Sequence, residues 1–219
     1  MLLRLAGIGV VAGFLCVLAW YFWFRRCNRR KAAEVLRWVE FAFHGHGRVV
    51  SVHWQRASSF RMRLRLSTVV FRRAVLFVRL LPRENPILWL LGRIRGQQET
   101  VTFQADLESQ PNFDLEVHNR RWYGRTERRS QPDTRDWILQ PVGPFVLTTR
   151  NDWQREITNM MSALVASREC DCSTVCFRRS SPHFSVTVPL EAMAPESQTQ
   201  AEIFDVLREL AAGASTARF

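Results

Sequence analysis

The sequence predicts an α+β fold: an N-terminal transmembrane helix followed by one domain with an antiparallel sheet and three to four helices. Three observations carry that prediction. Residues 5–24, LAGIGVVAGFLCVLAWYFWF, contain no charged side chain. Short stretches then alternate apolar and polar, as in FRMRLRL (60–66) and VTFQADL (101–107), the pattern of half-buried strands. A few other segments place apolar residues at helical spacing. Strands do not alternate regularly with helices, so a doubly wound nucleotide-binding sheet is not predicted.

The apolar stretch runs from Leu5 to Phe24. A helix of that length rises about 30 Å, the thickness of a bilayer's hydrocarbon core. Trp20, Tyr21 and Trp23 gather at its end, where amphipathic rings favour the interface. Arg25, Arg26, Arg29, Arg30 and Lys31 follow at once, and only Arg4 and the amino terminus precede it. The positive-inside rule then places the C-terminal side in the cytoplasm, and a bacterial inner membrane is the favoured location. A cleaved signal peptide competes through Val17-Leu18-Ala19. Against it, the apolar run continues beyond that site and a dense basic cluster opposes export. Gly9 and Gly13 form a Gly-x-x-x-Gly pair, for which simple tolerance of glycine in lipid is preferred over helix dimerisation. The implied organisation is a flank at 1–4, a span at 5–24, a basic juxtamembrane segment at 25–47, a domain at 48–213 and a tail at 214–219.

Within the juxtamembrane segment, Val35, Leu36, Val39 and Phe43 predict a helix over 29–43 that HGHG (44–47) ends. Strands are predicted at 48–55, 60–66 and 69–81. Asn85-Pro86 is a helix start, with asparagine as cap and proline in the first turn. The short helix after it, ILWLLGRIR, is basic and amphipathic; packing on the sheet is preferred over a place among lipid headgroups. Residues 101–107 and 113–119 alternate and predict a hairpin, and 120–136 read as a surface loop. One or two extended pieces follow over 134–149, then a helix over 152–167. A second hairpin is predicted from 173–179 and 183–190, with Ser180-Ser181-Pro182 at its turn. A closing helix covers 202–212 with Gly213 as C-cap.

The net charge of +11 is unevenly spread. Residues 1–100 carry 18 Arg and Lys against 4 Asp and Glu, whereas residues 101–219 carry 13 against 16. The basic half adjoins the apolar leader. Arg61, Arg63 and Arg65 share one strand face and cannot enter an apolar core without partners. With Arg72 and Arg73 they are candidate contacts to an anionic surface; a solvated face is the plain alternative. An acidic protein or a second copy of the chain are further partner classes. Nucleic acid ranks below them, because no RNP-like, KH-like or helix-turn-helix pattern is present. The 30 Arg against one Lys are also compatible with a GC-rich genome.

Five cysteines, an odd number, suit a reducing compartment. Cys170, Cys172 and Cys176 lie near His183, yet C-x-C-x3-C is not a standard zinc spacing, so no metal and no cofactor are expected. No G-x-S-x-G, H-E-x-x-H, Walker or G-x-G-x-x-G motif occurs. No catalytic residue is assigned.

The order of elements, membrane helix, α+β domain, methionine-bearing helix and a hairpin ending FSVTVPL, resembles in outline the cytosolic domain of the calumin-type protein of the endoplasmic reticulum. The local echo is Phe184 to Pro189. That family works beside membrane-protein insertion machinery, so the resemblance implies an accessory role in membrane-protein assembly. It carries over no residues, and the family's lysine richness and long charged tail are missing here. From the residues themselves, the expectation is a single-pass membrane protein with a binding or structural role at the membrane surface. A membrane-tethered enzyme with an unrecognised site is the alternative.

Overall fold

The computed structural model describes residues 2–120, 137–142, 145–150, 172–192 and 199–216. All but the first residue of the loop expected at 120–136, the helix expected at 152–167 and Cys170 lie outside the described residues. What is described is α+β, with one long N-terminal helix and an antiparallel sheet.

The first helix, α1 (Leu2–Ala42), is continuous. The apolar stretch and the helix expected at 29–43 are therefore one rod of about 60 Å. No proline or glycine separates the two parts, so nothing interrupts the hydrogen-bond ladder. Its halves differ in environment. Val10, Val11, Phe14, Val17, Phe22 and Trp23 are exposed, and an 18-residue apolar window in this helix is 0% buried. In the second half Asn28, Ala32, Val35, Val39 and Ala42 form a buried stripe. The helix stops at the expected HGHG, where Gly45 takes a φ of 83°, a conformation that costs glycine little.

Among the described residues nine strands form one sheet: β1 (Gly47–Arg56), β2 (Ser59–Leu66), β3 (Phe71–Arg79), β4 (Thr100–Leu107), β5 (Leu115–Asn119), β6 (Trp137–Val142), β7 (Phe145–Arg150), β8 (Thr174–Phe177) and β9 (Phe184–Pro189). The spatial order is β1-β2-β3-β4-β9-β8-β5-β7-β6, and every pairing is antiparallel. Gly47 is required where β1 starts beside β2, since a Cβ there would fall 2.6 Å from the Arg65 carbonyl oxygen.

The expected β8–β9 hairpin forms, and the extended pieces after 134 pair as β6 and β7. The hairpin expected from 101–107 and 113–119 does not. β4 lies between β3 and β9, and β5 lies between β8 and β7. Alternation fixes which face a residue takes, not which strand lies beside it. Three strand spacings amount to about 14 Å, a gap that residues 108–114 can bridge at about 3.3 Å each.

The register sorts the side chains into two faces. Met62, Leu76, Phe103, Val186, Val175, Val117 and Leu147 occupy matching positions and are all buried. This inner face receives α1 through Phe43, whose ring lies 6.1 Å from Phe103. It also receives the closing helix α3 (Thr199–Thr216), whose Phe204 packs 5.2 Å from Phe43. Gly213 does not cap α3, which continues to Thr216. Glycine inside a helix costs only about 1 kcal/mol.

Helix α2 (Pro86–Ile94) starts as expected, with Asn85 Oδ1 accepting from the Ile87 and Leu88 amides at 3.1 Å each. Its expected burial on the sheet is overturned. Only Gly92 is buried, while Ile87, Leu88, Leu90, Leu91 and Ile94 are all exposed. The inner face near it is already occupied by α1, so the apolar side of α2 finds no sheet to cover.

Phe43 joins α1, β4 and α3 at one point. Phe43→Ala is expected to cost about 3–5 kcal/mol, read as a lower urea midpoint for the full chain held in nanodiscs.

Candidate functional site

The domain meets α1 without a linker. Trp20, at the end of the apolar stretch, donates from Nε1 to the Arg83 carbonyl at 3.0 Å. Two turns on, Asn28 Nδ2 donates to Glu84 Oε2 at 3.1 Å and to the Leu81 carbonyl at 3.4 Å. Glu99 completes this clamp. It pairs with Lys31 at 2.8 Å and Arg83 at 2.9 Å, and it accepts from the Leu81 amide at 3.2 Å. Lys31 therefore faces the domain, held by a carboxylate that is mostly shielded from water.

A step of 100° per residue distributes the other juxtamembrane arginines. Arg26, Arg29 and Arg30 are exposed and Arg25 is half-buried. Arg25 and Arg29, one turn apart, face the β1–β2 turn. There Tyr21, Arg25, Arg29, Trp54, Gln55, Arg56 and Ala57 line a cleft of about 220 Å³. Arg25 lies over the Tyr21 ring at 5.9 Å. Among the described residues no carboxylate forms an ion pair with Arg25, Arg29 or Arg56. Arg25 and Arg29, with Arg26, also border a more open groove with Ala19, Phe22 and Trp23, on the apolar stretch itself. Arg25, Arg29 and Arg56 with the rings of Tyr21 and Trp54 thus stand beside an open groove with an apolar side. This arrangement suits an anion joined to a hydrocarbon chain. Arg56 could not be assigned to it from sequence, because only the β1–β2 turn brings it to α1.

Arg61, Arg63 and Arg65 share a face, as their alternation predicts, but it is the face opposite α1. They align with Phe77 and Val75 on β3, whereas Phe60, Met62 and Leu64 point inward. Arg61 lies over the Phe77 ring at 5.4 Å, and its Nε is buried without a hydrogen bond. Arg65 sits opposite Arg48 at the far end of β2, about 20 Å along the strand from the β1–β2 turn. Arg72 and Arg73 lie at that far end too. Arg72 binds Glu108 through two hydrogen bonds of 2.6 and 2.7 Å, which hold the carboxyl of Glu108 below its ordinary range. Arg73 stands opposite Asp106.

The cysteines depart from the expected reducing compartment at one position. Cys172 is disulfide-bonded, contrary to the expectation of reduced thiols. His183 is buried, and its Nδ1 accepts from the Leu107 amide at 3.2 Å, a strand-end contact. No group of three His, Cys, Asp or Glu suited to a metal occurs among the described residues.

On the outer face, β5 and β8 bring together a set that sequence spacing does not reveal. Cys176 donates from Sγ to Glu116 Oε1 at 3.4 Å, and His118 Nε2 lies 3.8 Å from the same oxygen. Thr174 Oγ1 and His118 Nδ1 are 3.4 Å apart. The neighbouring His118 ring holds the Glu116 carboxyl below its ordinary range. Burial, then the charge of Glu116, pushes the Cys176 thiol far up. A thiol kept protonated is a poor nucleophile.

No protein-family model matches the chain, and no curated protein matches its sequence. Among solved structures, it is similar to the mycobacterial trehalose monomycolate transport factor A, TtfA, at 11% identity and a TM-score of 0.41. That alignment covers 87% of this chain and 93% of the other. A likeness of this degree carries no argument here.

Cys176 is expected to resist maleimide at pH 7 in the folded chain and to react in urea, whereas half-exposed Cys27 reacts in both. Mass mapping of the labelled peptides reads the difference, and equal rates at the two thiols would contradict the burial.

Proposed function

We propose that this chain is a single-pass membrane protein whose domain sits directly on the bilayer and binds anionic lipid headgroups in the cleft of Arg25, Arg29 and Arg56. Its role is binding or structural. The observation that carries the reading is the clamp between Trp20, Asn28, Lys31 and residues 81–84 and 99. It holds the domain flush with the end of an apolar helix whose first half nothing covers among the described residues. The arginine cleft then lies at headgroup level. Each arginine near an anionic surface contributes about 1 kcal/mol, so three together favour anionic over neutral lipid by about two orders of magnitude. Arg63 and Arg65, farther up the sheet, add little, because salt screens exposed charges beyond about 8 Å.

The domain faces the cytoplasm in this proposal, since the basic cluster follows the span. The disulfide at Cys172 pulls the other way, because disulfides persist mainly in oxidising compartments. The charge asymmetry across the span is the weightier signal, as it acts during insertion. The outer-face cluster lends the tethered-enzyme alternative no support, because its one thiol, Cys176, is buried against Glu116.

Native mass spectrometry of the full chain released from mixed phosphatidylglycerol and phosphatidylcholine micelles tests the cleft. The wild type is expected to retain phosphatidylglycerol selectively, and Arg25→Gln/Arg29→Gln/Arg56→Gln to lose that selectivity. An unchanged lipid count in the triple variant would sink the proposal. Orientation is tested separately with C-terminal fusions in a bacterial host: a fluorescent protein is expected to be active there and alkaline phosphatase inactive. The reverse pattern would place the domain outside.

A further inference from the structure

Helix α2 presents an apolar face that the anchor and the arginine cleft leave unexplained. Ile87 is 69% exposed, Leu90 52%, Leu91 41% and Ile94 73%. At 100° per residue these four side chains fall within one narrow stripe. Trp89 and Gly92 lie on the other side, toward the domain. Gly92 packs close to Gln97, whose Oε1 would lie 3.2 Å from a Cβ there and would have to shift to admit one. Arg93 and Arg95 flank the stripe on either edge. Both are exposed, and neither has an ion-pair partner among the described residues. Arg93 arches back over the Trp89 ring at 5.7 Å.

The helix does not depend on burial to form. The Asn85 cap and Pro86 in its first turn hold it ready. Its place in the fold is set by the anchor. Trp89 packs edge-on against Trp20 at 6.3 Å, and the loop leading into α2 is bonded to Trp20 through the Arg83 carbonyl. α2 is therefore held beside Trp20, at the height where the apolar stretch of α1 ends, with its stripe turned away from that contact. An apolar stripe bordered by arginines, at that height, matches a helix lying in the boundary between headgroups and acyl chains. Long arginine side chains beside it can reach up to phosphates while their stems stay in the apolar layer.

We propose that α2 is a second membrane element, inserted sideways into the leaflet from which α1 emerges, and that the bilayer itself covers its apolar face. This rests on the reading of α1 as a membrane span. It does not depend on the arginine cleft, because insertion of an apolar stripe needs no anionic lipid. Two contacts, one along the membrane normal and one in its plane, hold the domain in a single orientation. A helix alone leaves it free to turn about the α1 axis.

The test uses the full chain in phosphatidylcholine nanodiscs, with Cys16→Ser and Cys27→Ser to remove the accessible thiols. The polarity-sensitive fluorophore NBD is attached at Ile94→Cys, and in a second variant at Ile87→Cys. A third variant, Val69→Cys, reports on the opposite end of the sheet, where Val69 is 83% exposed. At 94 and 87 the emission is expected to shift to the blue and to be quenched several-fold more strongly by nitroxide lipid than at 69. Aqueous emission at both α2 sites would overturn the proposal. A blue shift that nitroxide lipid does not quench would overturn it too, by showing protein rather than lipid on the stripe. Neutral lipid keeps this result separate from the cleft. Extraction of the chain by alkaline carbonate would instead remove the anchor reading beneath both.

Discussion

Everything else in this structure depends on the grip of the domain on the second half of α1. A helix that leaves an apolar environment can end in a flexible linker, and the domain behind it is then free. Here the helix does not end. Its buried stripe from Asn28 to Ala42 becomes part of the domain's own core, and Phe43 closes it against Phe103 and Phe204. The polar clamp adds what packing cannot. Glu99 accepts from Lys31, Arg83 and the Leu81 amide together, and that convergence sets the height at which residues 81–84 meet the helix. Apolar packing tolerates sliding along a ridge; a carboxylate shared by three donors does not.

From that height the rest follows. The β1–β2 turn reaches α1 at Tyr21 and Arg25, which assembles the arginine cleft. The β3–α2 loop reaches it at Trp20, which places α2 beside the last apolar turn. Both features stand at one end of the sheet. The strands run away from that end, so the charges on them are spread over distance. The arginines of β2 belong to this second group. They line the outer face, where Arg61 shelters over Phe77 and Arg65 meets Arg48 across the pair.

Local pattern was a good guide wherever the physics is local. The apolar run, the cap at Asn85, the alternation in β2 and the β8–β9 hairpin all depend on neighbours within a few residues. Pattern misled where the outcome turns on which distant segment arrives first at a surface. Residues 101–107 and 113–119 alternate as a hairpin would, yet β8 and β9 stand between them. The apolar helix α2 has the composition of a core element, yet the inner face was taken by α1. The Cys176, Glu116 and His118 set is invisible in sequence because β5 and β8 are joined only across the sheet.

The sequence by itself determined the class of the fold, the extent of the apolar stretch, the excess of cations behind it and the shared side of β2 on which Arg61, Arg63 and Arg65 stand. Those properties are carried by periodicity and charge, which are read one residue at a time. Tertiary structure decided which cations meet one another, that Lys31 is neutralised while Arg25, Arg29 and Arg56 are left open, and that α2 stays uncovered. These are competitions among segments for a limited inner face and for a few carboxylates, and such a competition has no winner until the chain is packed.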